Sequence, residues 1–202
     1  MSIRFILLIS FLLLSVNAEE KKEMKEMKKD NETVNHNDKG FKDKWAAIIK
    51  EKKGLTNFRK VNSTLYRGAQ PTAEGMKTLK AMGVKTILNL RSFHSDRDEI
   101  GSTKLNYVHL YTKTWHVEEK EIIRFLKLVN NKEKTPVFVH CMQGVDRTGT
   151  MCAVYRIVME DWSKEEAIAE MKAIGHNTIW KNLPSMLRKL NVEKIKKDVG
   201  IK

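Results

Sequence analysis

Val137, Phe138 and Val139 form an uninterrupted apolar run that stops at His140, and apolar residues resume at helical spacing from Met151 through Ala153, Val154, Ile157 and Val158. A short apolar run of this kind reads as a buried strand, and the second pattern as a helix. Residues 141–148 are then a loop that carries the chain from strand to helix. A chain built around that unit is confined to the layered α/β class, in which helices cover a sheet.

Such a loop presents backbone N–H groups and the positive end of a helix dipole, which suits it to a phosphate. Met142, Gln143, Gly144 and Val145 supply the N–H groups, and Cys141 lies in the same field. Electropositive surroundings lower a cysteine pKa from ~8.5 to about 3.5–7.5, which makes the thiolate available near neutrality. Arg147 can fold back and grip two phosphate oxygens as a fork, which lysine cannot imitate. Gly144 and Gly149 leave room where backbone must turn and approach a ligand. Thr148 can donate its hydroxyl to the sulfur as a leaving group, and His140 braces the loop by hydrogen bonds.

His140-Cys141, five intervening residues, then Arg147-Thr148-Gly149 resembles the signature of the cysteine-dependent phosphatases, the protein-tyrosine and dual-specificity superfamily. Tyr66-Arg67-Gly68-Ala69-Gln70-Pro71, followed by Ile87-Leu88-Asn89-Leu90-Arg91, resembles the small atypical dual-specificity phosphatases of plants, fungi and bacteria. Together the two resemblances cover about residues 57–190. They imply a four- or five-stranded, largely parallel sheet flanked by helices, and the alternation of strand and helix patterns agrees.

Around this frame the local signals are uneven. Phe41, Trp45, Ile48 and Ile49 predict a short amphipathic helix up to Lys52, ended by Gly54. Thr72 caps a helix through Met82. Residues 65–71 read as a short strand and turn, strands are expected at 84–90 and 105–111, and a helix over 118–130. Ser163-Lys164-Glu165-Glu166 is a capping-box pattern that opens a helix to about Ala173. Residues 178–197 read as one helix, bent at Pro184.

Ester hydrolysis through Cys141 also needs a proton donor for the leaving oxygen. The tyrosine and dual-specificity phosphatases that this chain resembles place an Asp on the loop before the helix preceding the signature. Here that loop, Tyr111 to Val117, has none. Asp146 is the first candidate, because an Asp directly before the signature arginine also resembles the loop of myotubularin-type lipid phosphatases. His116 is the second, followed by Glu118, Asp96 and Asp98. Lys113, Arg67, Arg91 and Lys181 are candidates for additional phosphate contacts. The six histidines are scattered without metal-ligand spacing, so the expected mechanism uses no metal and no cofactor.

Arg4, the apolar run Phe5–Leu14 and Val16-Asn17-Ala18 have the form of a secretory signal peptide cut after Ala18. The run is too short for an ordinary membrane-spanning helix, so no stable insertion is expected after cleavage. Residues 19–40 read as a charged, disordered tether, and 41–202 as one phosphatase domain. The expected location is outside the cytoplasm, periplasmic or secreted. Residues 19–39 hold six lysines against seven acids, so the net charge of +13 resides in the domain. That field suits a phosphorylated anionic substrate, a phosphoprotein or an inositol phosphate such as phytate. Nucleic acid is disfavoured, since no basic helix is interleaved with aromatics. Two other classes remain, a non-catalytic phosphate-binding module and a sulfur-transfer or arsenate-reducing enzyme. Intact Cys141, Arg147 and Thr148 argue against the first, and His140 with Thr148-Gly149 against the second.

Overall fold

The computed structural model describes residues 39–49 and 52–201. The signal peptide and nearly all of the tether lie outside the described residues. Lys39 and Gly40 open a four-residue helix, α1 (Lys39–Lys42). Among the described residues no helix is long and apolar enough to cross a membrane.

Six strands, β1 (Ala47–Ile48), β2 (Arg59–Lys60), β3 (Leu65–Gly68), β4 (Thr86–Asn89), β5 (Asn106–His109) and β6 (Val137–His140), form one sheet. Their order is β1-β2-β3-β6-β4-β5. The expected parallel set is β3, β6, β4 and β5, and two short antiparallel strands extend its edge. The sheet therefore has six strands, more than the four or five expected. The register pairs His140 with Gly68 on one side and with Asn89 on the other. Three strands thus end level, and the turns that follow them emerge side by side at the carboxyl edge, where open α/β sheets hold their ligands.

Alternation along the strands divides the core into two layers. Phe138 and Ile87 face α2 (Ala73–Ala81) and α3 (Arg97–Ile100), packing with Met76, Leu79 and Ile100. Val137, Val139 and Leu88 face the opposite layer. That layer consists of α4 (Glu119–Val129), α5 (Asp146–Met159), α6 (Lys164–Ala173), α7 (Asn182–Arg188) and α8 (Val192–Val199). At its centre α5 packs on each of the other four. Its residues from Thr148 to Val158 are all buried, so it reads as an all-round apolar helix rather than an amphipathic one.

The helix starts follow the sequence. Thr72 Oγ1 accepts from Gly75 N at 3.2 Å. Ser163 and Glu166 close their capping box with bonds of 3.2 and 2.8 Å. Such caps contribute ~1 kcal/mol each.

Two expectations fail. The described residues between 41 and 52 do not form one helix. Ala47–Ile48 pairs with Arg59–Lys60, and Ile49 N donates to Phe58 O at 3.0 Å. The apolar stripe fits helical spacing, but pairing with a sheet edge overrides local propensity. Residues 178–197 form two helices, because Asn191 Oδ1 accepts from Lys194 N at 3.0 Å and starts α8 afresh. Pro184 falls in the first turn of α7, where no intrahelical N–H is required, and it bends nothing.

A buried ion pair ties two helices of this second layer, α5 and α6, to each other. Arg156 is bonded through Nε and Nη2 to Glu170 at 3.1 and 2.9 Å, and Glu170 Oε1 also accepts from Ala46 N at 2.6 Å. Burial alone would lower the Arg156 pKa, but its bonds to Glu170 and Glu160 raise it, so the cation persists.

Candidate active site

Beyond His140 the chain leaves the sheet, and each of its next carbonyl groups is held from outside the loop. Leu90 N donates to His140 O at 2.9 Å and Gln70 N to Met142 O at 3.1 Å. His140 Nδ1 donates to Cys141 O at 3.1 Å, Asn57 Nδ2 to Gln143 O at 3.2 Å, and Arg67 Nη2 to Gly144 O at 2.8 Å. A trans peptide points its N–H opposite its C=O. Tethering the carbonyls outward therefore turns the N–H groups of the loop toward its interior, where they form an anion-binding nest. Gly144 makes this closure possible: its φ is +71°, and a Cβ there would lie 2.3 Å from the Gly68 carbonyl carbon.

Cys141 sits in that nest, only 3% exposed. Burial raises a thiol pKa, but the hydroxyl and N–H of Thr148, the Arg147 guanidinium and the Gly144 N–H outweigh it, and the net shift is downward. The buried Thr148 hydroxyl has no hydrogen-bond partner of ordinary geometry, which leaves it available to the sulfur whose pKa it lowers. Arg147 Nη1 reaches Leu90 O at 3.3 Å, which holds the guanidinium beside the loop. Cys152, one and a half turns into α5, is fully buried, and burial pushes its thiol up to about 11. The two cysteines are both free.

His140 is fully buried, and its Nε2 lies 2.7 Å from Asp96 Oδ2. Asp96 is itself 0% exposed. Its Oδ1 accepts from Gln70 Nε2 at 2.9 Å and Asn89 Nδ2 at 3.0 Å. These contacts remove Asp96 from the candidate proton donors: it lies beneath the loop. Arg67 is corrected in the same way, since at 1% exposure under Gly144 it cannot touch a substrate. One of the six histidines, His94, does lie beside two carboxylates. Ligand-type atoms of His94, Asp96 and Glu99 lie within 4.8 Å of one another, although both Asp96 oxygens already accept hydrogen bonds.

Asp146 opens α5, and its Oδ1 accepts from His176 Nδ1 and Asn177 N, each at 2.9 Å. His176 belongs to the turn after α6, a partner that spacing alone did not reveal. Oδ2 is the oxygen left to carry a proton. His116 is exposed and sits in a tight turn bridged to Lys113. Glu118 is salt-bridged to Lys120 at 2.5 Å, and that bond holds its carboxyl below the ordinary range. Asp98 is exposed on α3. Met142 and Gln143 are exposed at the loop rim, with Val145 half-buried. Arg91 Nη1 is turned to Gln70 Oε1 at 3.3 Å. Lys113, Tyr111 and Trp115 line a cleft of about 730 Å³ that runs past Ser92 and Phe93. Lys181 lines a separate recess beside His176.

A parallel sheet that delivers a cysteine into a nest of N–H groups, closed by an arginine six residues on, defines the cysteine-dependent phosphatase class of the protein-tyrosine and dual-specificity type. Within it, residues 41–184 match the model of the family described as DSP-PTPase phosphatase fused to NAD+ kinase, and the chain belongs to that family. The dual specificity protein phosphatase TpbA of Pseudomonas aeruginosa strain UCBPP-PA14 is 34% identical over 120 residues, 59% of this chain. The match spans only 55% of that relative's length. The crystal structure of P. aeruginosa TpbA superposes with a TM-score of 0.68 at 27% identity, covering 77% of this chain and 96% of that one. The catalytic core of the S. cerevisiae PP-IP phosphatase Siw14 shares the fold at 17% identity, with a TM-score of 0.61 over 74% of this chain and 96% of that one.

Proposed function

We propose that this protein is an exported cysteine-dependent phosphatase that hydrolyses phosphomonoesters of the tyrosine and dual-specificity type through a phosphocysteine. The observation that carries this reading is the Cys141 thiol, its pKa lowered inside inward-turned N–H groups beside Arg147. In the first step the Cys141 thiolate attacks phosphorus, the phosphorus–ester oxygen bond breaks, and Asp146 protonates the leaving oxygen, with His116 as the second candidate. The N–H groups of residues 142–145 and Arg147 balance the charge on the phosphoryl oxygens. In the second step water attacks the phosphocysteine, its proton passes to the carboxylate, and the sulfur departs as a thiolate supported by the Thr148 hydroxyl.

Phosphotyrosine is the leading substrate, because TpbA, 26% identical here, has been crystallised in complex with pTyr. The cleft that begins at Ser92, two residues beyond the Leu90 carbonyl that holds Arg147, exposes Tyr111 and Trp115 and suits an aromatic group. Export is supported by the signal-like residues 1–18. A second reading, an inositol polyphosphate as substrate, is favoured by one observation. A recess of about 420 Å³ beside Asp146 is lined by Lys172, Lys181, Arg188 and His176. Arg188 is bonded to Glu165 there, and among the described residues neither lysine forms an ion pair.

The test is phosphate release from phosphotyrosine peptides, phosphoserine peptides and inositol hexakisphosphate, with Cys141→Ser and a chelator as controls. Activity highest on phosphotyrosine, lost in Cys141→Ser and insensitive to chelator is expected. Preference for the inositol phosphate selects the second reading. Phosphate binding without turnover on any ester would leave a non-catalytic binding module.

A further inference from the structure

Asp96 lies 44 residues from His140 in sequence, yet the two side chains meet at 2.7 Å with both fully buried. A carbonyl oxygen can only accept, so the His140 Nδ1 that faces Cys141 O carries a proton. On the other edge of the ring a second proton lies between Nε2 and Asp96 Oδ2. Two amide donors, from Gln70 and Asn89, point at Asp96 Oδ1 and hold the carboxyl group in place. Both ring nitrogens of His140 are therefore engaged, Nδ1 by the Cys141 carbonyl and Nε2 by Asp96. Tyr107 completes the enclosure, its hydroxyl accepting from Asp96 N and Asn89 Nδ2 at 3.2 Å.

We propose that Asp96 is a positioning residue for the reaction: by holding His140 Nε2 it fixes the ring so that Nδ1 donates to the Cys141 carbonyl, which keeps that carbonyl outward and the N–H groups of the loop turned toward the sulfur. Without Asp96 the ring is free to turn its Nδ1–H away from the Cys141 oxygen, and that peptide loses its anchor. Asp96 thus links the turn after β3, through Gln70, and the end of β4, through Asn89, to the ionisation of a thiol at the end of β6. The other charged groups around this pair are His94, 3.7 Å from Asp96, Glu99, 3.3 Å from His94, and Arg91, which bonds Gln70. On the loop side stand Arg147, Arg67 and Asp146. This proposal rests on Cys141 being the nucleophile.

The test is the pH dependence of iodoacetamide alkylation of Cys141 in the full chain, which needs no substrate and no turnover. Asp96→Asn is expected to move the midpoint upward by about one pH unit, the scale of one hydrogen bond in the network that supports the thiolate, and to lower kcat more than KM is raised. In a His140→Asn background the same change is expected to shift nothing further. Gln70→Met, which strips one donor from Asp96 Oδ1 and keeps the backbone, is expected to give a smaller shift in the same direction, and it decides the matter if Asp96→Asn does not fold. An unmoved midpoint in a folded variant, or an Asp96 effect undiminished without His140, overturns the proposal. Absence of phosphatase activity in a wild-type chain whose alkylation midpoint is low would instead count against the proposed function and leave this coupling standing.

Discussion

The guanidinium of Arg67 donates to the Gly144 carbonyl oxygen at 2.8 Å, although 77 residues separate them. A charge in this position is a structural strut: it lies beneath the loop and sets which way the Gly144 peptide faces. Arg67→Met is expected to cost about 2–4 kcal/mol, the range for removing a buried charged hydrogen-bond partner. Activity on an aryl phosphate should fall at least tenfold in the fraction that stays folded. Urea unfolding alongside steady-state kinetics checks both, and a stable variant with full kcat would show that the loop holds its shape without the strut.

The thiolate depends on Thr148. Its hydroxyl and N–H lower the Cys141 pKa against burial, which raises it. Alkylation requires the thiolate, so its rate rises with pH through that pKa. Thr148→Val keeps the N–H and removes the hydroxyl, and the midpoint should move up by about 1–2 pH units, the equivalent of ~1.5–3 kcal/mol for a hydrogen bond to a charged group. A midpoint at the wild-type value would mean that the hydroxyl serves only the departure of the sulfur.

Cys152 should be silent in the same assay. With its thiol pushed up to about 11 by burial, it carries little thiolate at neutral pH. Intact-mass analysis after alkylation at pH 7 is expected to show one adduct per native chain and two after denaturation. Two adducts in the native protein would place Cys152 within reach of solvent.

The nucleophile, its arginine and the strand-loop-helix unit were legible because their chemistry is local: residues 140–149 carry it within one turn of chain. The struts were not. Arg67 and Asp96 stood out as charged residues near the site, but a sequence shows neither that β3 and β4 flank β6 nor that both side chains point down. By residue type alone Arg67 suits a phosphate contact and Asp96 a proton donor, and burial beneath the loop excludes both roles. The same holds for Ala47–Ile48, whose strand state exists only because β2 offers an edge to pair with. His176 gave no signal at all, since its role is set by where the turn after α6 lands.

The Arg156–Glu170 pair offers a test of stability that is separate from chemistry. Glu170 is 1% exposed and also receives Ala46 N. Removing one partner of a buried pair strands the other, so Glu170→Gln is expected to cost about 3–5 kcal/mol. For a chain of this size that is a fall in Tm of roughly 10 °C. The kcat of the folded enzyme should be unchanged, since neither group faces the loop. Loss of activity at a temperature where the variant is fully folded would show that α6 transmits strain to α5 and the loop.

The last prediction concerns the proton. His176 and Asn177 fix Asp146 Oδ1, so a proton offered by this carboxyl must come from Oδ2, close to where α5 begins and the loop ends. His116 is held at a turn of the neighbouring segment and is exposed. An aryl phosphate with a good leaving group hardly needs an acid, whereas an alkyl phosphate does. Asp146→Asn should therefore lower kcat on the alkyl ester by about 10²–10⁴-fold, the usual contribution of general acid catalysis, with a much smaller effect on the aryl ester. His116→Ala should leave the ratio of the two rates near the wild-type value. If instead His116→Ala collapses that ratio and Asp146→Asn preserves it, the donor is the loop histidine, and Asp146 serves to tie the start of α5 to the turn at His176.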